Sequence, residues 1–110
     1  MAIYRMYTGS DNHTHIEETP LADYPELTEL ELTKGMYIRT RPDERMEAHP
    51  APELRWLVVL SGVMEVAPAN GGSVVRLGAG DIVRITDITG SGHMTSFIDN
   101  CTFAVMPIDA

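Results

Sequence analysis

From Trp56 onward, hydrophobic positions come in short runs cut by turn-forming residues. Trp56 to Leu60 is rich in β-formers and stops at Ser61-Gly62, and Val63 to Val66 follows at once. This layout predicts a tight hairpin. Pro68-Ala69-Asn70-Gly71-Gly72 reads as a second turn, because Asn-Gly and Gly-Gly tolerate positive φ. Ser73 to Leu77 is the next predicted strand, and Gly78-Ala79-Gly80-Asp81 turns the chain into Ile82 to Thr86. Gly90-Ser91-Gly92 breaks that strand, His93 to Phe97 makes another, and Thr102 to Pro107 closes the series. Strands of about five residues with no helical period between them predict an all-β fold, a single antiparallel sandwich or barrel.

The first half is patterned less sharply. Ile3 to Thr8 reads as an opening strand, Leu27 to Leu32 as a strand or one helical turn, with context favouring the strand, and Met36 to Thr40 as a strand ending at Arg41-Pro42. The alternation in this last strand puts Met36 and Ile38 inward, with Tyr37 and Arg39 on the opposite face. Asp43 to Pro52 is a loop, stiffened by Pro50 and Pro52. No repeat or linker interrupts the chain. Its 110 residues make one domain, residues 1–34 forming an arm with strands and residues 35–110 the main body.

Composition narrows the function classes. Hydrophobic residues make up 44%, ample for a packed core. No apolar run approaches the roughly 20 residues that span a bilayer, and no basic region precedes an apolar stretch at the N-terminus. The expected location is the cytoplasm. A net charge of −8 and a pI of about 4.8 count against nucleic acid and membrane surfaces, both polyanionic, as partners. Acids crowd residues 17–31, a solvated acidic flank. Cys101 is the single cysteine, so no intrachain disulfide can form, and its β-rich context reads as core. No nucleophile elbow, HExxH, phosphate-binding loop or dinucleotide fingerprint is present.

The chemistry-bearing residues are four histidines: His13, His15, His49 and His93. His49 stands before the Trp56–Leu60 strand, and His93 opens its own strand after Gly90-Ser91-Gly92. The stretch H49-P-A-P-E-L-R-W-L-V-V-L-S-G62, followed by G78-A-G-D81 and T89-G-S-G-H93, resembles the two signature motifs of the cupin superfamily. The resemblance covers residues 49–97. It implies a small antiparallel β-barrel (a double-stranded β-helix, or jelly roll), a homodimer, and motif histidines turned into the lumen.

Against the family pattern, the second motif histidine is replaced by Ala51, the carboxylate by Arg55, and the Asn after the last histidine by Phe97. Of the family's metal ligands, His49 and His93 remain. The resemblance also implies an N-terminal segment packed on the barrel, which would bring His15 to His49 and His93. Three imidazoles with open positions suit Zn²⁺, Ni²⁺, Mn²⁺ or Fe²⁺. The alternative is a pocket with no metal, in which His49 and His93 act as general acid and base. Arg55 places a cation at the mouth, favouring an anionic ligand, with Glu53 as its ion-pair partner or a substitute ligand, and Tyr37 as a further donor. The expected ligand is a small organic molecule. The expected activity is that of a lyase, isomerase or oxygenase, the alternative being a non-catalytic sensing or accessory module.

Overall fold

The computed structural model describes residues 1–109. Eight strands run in chain order: β1 (Ile3–Thr8), β2 (Thr14–Glu18), β3 (Tyr37–Arg41), β4 (Glu44–Arg45), β5 (Arg55–Pro68), β6 (Val75–Leu77), β7 (Ile82–Ile85) and β8 (His93–Pro107). Two short 3-10 turns, Leu21–Asp23 and Pro25–Glu29, lie between β2 and β3. The all-β expectation holds. No helix among the described residues is long and apolar enough to cross a membrane.

All strands join one sheet in the order β2-β1-β7-β5-β8-β3, with β4 on β8 and β6 on β5. The sheet is mixed rather than antiparallel throughout, because β1 lies parallel to β7, pairing Ile3 with Ile82 and Met6 with Ile85. The chain enters beside a strand that follows it by about eighty residues, so no hairpin dictates direction there. The order is open, with β2 and β3 at its edges.

β5 and β8, of 14 and 15 residues, pair along their whole length and form the backbone of the sheet. The hairpin expected at Ser61-Gly62 is instead a bulge within one strand. Ser61 pairs with Thr102 and Val63 with Ile98, so Gly62 alone opposes Asp99, Asn100 and Cys101. Gly62 has φ +73, and a Cβ there would lie 2.8 Å from the Cys101 backbone. A glycine followed by β-formers marks a left-handed residue without saying whether the chain reverses or bulges.

The sheet buries apolar residues on both faces. The inner face gathers Leu57, Val59, Met64, Val66, Phe97, Phe103 and Val105. The outer face holds Ile3, Trp56 and Met106, covered by Tyr24, Leu27 and Leu30. Leu27 and Leu30 therefore belong to a tight turn and its exit, not to the expected strand. Their spacing of three matches a 3-10 turn, and both rest against the Trp56 cluster.

β3 faces the opposite way from the expectation. Tyr37, Arg39 and Arg41 line the interior, while Met36 and Ile38 are 53% and 57% exposed. The register accounts for it: Tyr37 pairs with Val105, Arg39 with Phe103 and Arg41 with Cys101, whose side chains all belong to the inner cluster.

Candidate functional site

A cavity of about 250 Å³ lies against the inner face. Its floor is apolar, with Leu57, Met64 and Val66 from β5 and Phe97, Phe103 and Val105 from β8. The Phe97 and Phe103 rings stack at 5.6 Å. The polar part of the wall is made of His49, His93, Thr95, Arg55, Tyr37, Arg39 and Arg41.

His49 and His93 meet, as the motif resemblance implies. Their backbones form an isolated antiparallel bridge, His49 N–H to His93 O at 3.1 Å and His93 N–H to His49 O at 3.0 Å. The imidazoles lie 5.2 Å apart, centroid to centroid, tilted by 57°. The bridge needs Gly92, whose φ is +78 and whose missing Cβ would fall 2.2 Å from the His49 carbonyl carbon. The glycine before His93 is thus a packing requirement of the site.

Each ring is oriented through Nδ1. His49 Nδ1–H donates to the Pro50 carbonyl at 2.8 Å, since a carbonyl can only accept. His49 Nε2 is buried without a partner. His93 Nδ1 lies 2.5 Å from Asp87 Oδ2, and the same oxygen accepts from Thr14 Oγ at 2.8 Å. A carboxylate on Nδ1 sets the ring's tautomer and leaves Nε2 as the nitrogen free for chemistry. Asp87 and His93 are buried, as is Thr14.

Asp87 and Thr14 were not singled out by sequence reasoning. Their signal was parity: Val83, Ile85 and Asp87 alternate onto one face, and Thr14 sits between the two histidines of His13-Thr14-His15. Thr14 takes the inward position, so its neighbours turn out. His15 accordingly does not join His49 and His93. Its Nε2 bonds Asp11 at 3.0 Å and its ring stacks on Tyr7 at 5.5 Å. His13 bonds Ser91 Oγ at 2.8 Å.

The candidate ligand-binding residues Tyr37, Glu53 and Arg55 lie together, Tyr37 because β3 turns it inward contrary to expectation. Arg55 donates to Glu53 at 2.9 Å, and the Tyr37 hydroxyl is 3.5 Å from the same carboxylate oxygen. Arg55 Nε remains buried and unpartnered. Arg41 is paired with Glu44. Arg39 lies over the Tyr37 ring, 5.1 Å from its centroid, and forms no ion pair among the described residues.

The donor set does not fit a resident divalent metal. His49 and His93 supply two imidazoles, while zinc sites take at least three protein ligands. Among the described residues no group of three His, Cys, Asp or Glu is placed to hold a metal ion. Arg55 also lines the wall with a permanent positive charge, which disfavours a divalent cation.

The sequence matches no protein-family profile and no curated protein. Among solved structures, a conserved protein of unknown function from Streptococcus pyogenes is similar at 18% identity, over 71% of this chain and 79% of that one, with a TM-score of 0.43.

Proposed function

We propose that this chain is a cupin-like protein that binds a small organic carboxylate in its cavity without a metal, apolar end down and carboxylate towards the arginines. The observation that carries the reading is the placement of charge. The chain has sixteen acids and eight bases, yet three of the eight, Arg39, Arg41 and Arg55, line one cavity with an apolar floor. Arg39 and the unpartnered Arg55 Nε supply donors that a carboxylate satisfies through charge-assisted hydrogen bonds. The two long strands bent at Gly62 around this cavity, together with the motif residues His49, Gly62, Gly78, Asp81 and His93, support the double-stranded β-helix reading.

Thermal unfolding with and without 3-phenylpropionate tests it, with 2-phenylethylamine as the cation of similar shape. A ligand at a hundred times its Kd stabilises the fold by about 2.7 kcal/mol. Stabilisation by the acid, none by the amine, and loss of affinity by about tenfold or more in Arg55→Gln are the expected results. Equal stabilisation by acid and amine, or none by either, overturns the reading.

Two further elements go with it. The exposed Ile38 on edge strand β3 and Met36 just before it, with Leu60 exposed on β5 of the same sheet, support a homodimer. Light scattering distinguishes a dimer from a 12.1 kDa monomer. The cytoplasm suits a chain with one buried, free thiol at Cys101.

A further inference from the structure

Two imidazoles beside a carboxylate site imply more than binding. We propose that the cavity moves a proton on its ligand, that the ligand class is a 2-oxo acid with an apolar side chain, and that the reaction is keto–enol tautomerisation. This rests on the carboxylate reading of the same cavity.

His93 donates Nδ1–H to a buried carboxylate, so the proton it takes up at Nε2 leaves a cation held against Asp87. His49 donates Nδ1–H to a neutral carbonyl, and its Nε2 is buried with no partner. A buried polar atom without a partner costs stability, and a ligand atom that pairs with it recovers that cost. The ligand is therefore expected to offer His49 a polar atom in addition to its carboxylate.

The second step is chemical. The two-imidazole donor set does not fit a resident metal, and from carbon a lone imidazole removes only hydrogens already acidified by a neighbouring carbonyl. The carbonyl has to be in the substrate. A carbonyl adjacent to a carboxylate meets both demands in the smallest frame. The stacked Phe97 and Phe103 floor then takes an aliphatic or aromatic side chain.

The step balances as follows. His93 Nε2 takes a proton from C3. The C3–H electron pair becomes the C2–C3 double bond, and the C2–O π pair moves onto oxygen. That oxygen takes the proton of His49 Nε2–H, with His49 carrying hydrogen on both nitrogens at the outset. The product is the enol, and solvent at the mouth resets both rings. Arg55 holds the carboxylate throughout, and neither oxidant nor reductant enters.

Proton NMR in D₂O with phenylpyruvate reads the reaction as loss of the C3–H signal. The wild-type protein is expected to accelerate exchange by about a hundredfold or more over free imidazole at the same concentration. His93→Gln is expected to lose that acceleration while 3-phenylpropionate still raises its Tm. His49→Gln, whose ring has no side-chain partner, serves as the second variant should His93→Gln fail to fold, with the same expected loss. If 3-phenylpropionate and phenylpyruvate both stabilise the wild-type protein and exchange does not exceed the imidazole control, the tautomerase inference falls and the carboxylate site stands. If neither compound stabilises it, both fall.

Discussion

Replacing Gly92 by alanine tests whether the histidine bridge is a built feature. Two costs are separable. The first is backbone strain, since φ is +78 at Gly92, in the left-handed region that costs an L-residue about 1–2 kcal/mol. The second is overlap: the new Cβ would stand 2.2 Å from the His49 carbonyl carbon, 2.3 Å from its oxygen and 2.4 Å from the Pro50 nitrogen. All three are backbone atoms, so no rotamer change relieves the contact, and accommodating extra atoms in a packed site costs about 1–3 kcal/mol more. Gly80 is the internal control, with φ +87 and nothing within 4 Å of its would-be Cβ. Gly80→Ala is expected to cost only the strain, about 1–2 kcal/mol. Gly92→Ala is expected to cost about 2–5 kcal/mol, and each kcal/mol lowers Tm by about 4–8 °C in a domain of this size. Urea titrations followed by Trp56 fluorescence measure both variants on the same scale. Gly92→Ala should also abolish ligand stabilisation even below its own midpoint, because His49 must move. Equal destabilisation of the two variants, with ligand binding intact in Gly92→Ala, would refute the packing argument.

Other expectations follow from single contacts. Trp56, 1% exposed beneath Tyr24, should cost about 3–5 kcal/mol on truncation to Ala, read from chemical unfolding; a loss under 1 kcal/mol would mean the outer cluster is not a core. Burial raises the Cys101 thiol above its ordinary pKa, so a disulfide reagent at pH 8 should label the folded protein far more slowly than the urea-unfolded chain. The Glu17 carboxyl is held below its ordinary value by the Tyr7 hydroxyl and the Arg5 guanidinium. A depressed folded pKa contributes stability above the unfolded carboxyl value and loses it as pH falls through the folded one. Tm of the wild-type protein should thus fall more steeply below about pH 4 than that of Glu17→Gln, and parallel curves would count against it. Asp87→Asn keeps the shape but alters the Nδ1 partner, so the His93 ¹⁵N shifts should report a changed tautomer population while those of His49 stay in place.

Parts of this arrangement were legible along the chain. Most strands fell where β-formers alternate between turn residues, and His49 and His93 stood out because His49 stands in a proline-stiffened loop before a strand and His93 opens its own strand after glycine. Where the reading failed, it failed on facing and pairing. Met36 and Ile38 look like the buried parity of β3, yet the cavity inverts that rule, with Tyr37, Arg39 and Arg41 lining it. The pair His13 and His15 drew attention away from Thr14, whose hydroxyl is the group that reaches the site. Asp87 carried no local mark beyond its alternation with Val83 and Ile85.

By itself, the order of residues determined the all-β character, the turn points and the two histidines, because β-propensity, alternation and positive-φ glycines act over a few residues. It also placed a cation, Arg55, at the head of the longest apolar run. The tertiary structure alone decided that β1 lies parallel to β7, that Gly62 makes a bulge rather than a turn, and that Asp87 rather than His15 is the third member of the site. Alternation tells which side chains share a face but not which face is inside. That choice belongs to strands far away in the chain, and it is made by how much apolar surface the whole sheet buries.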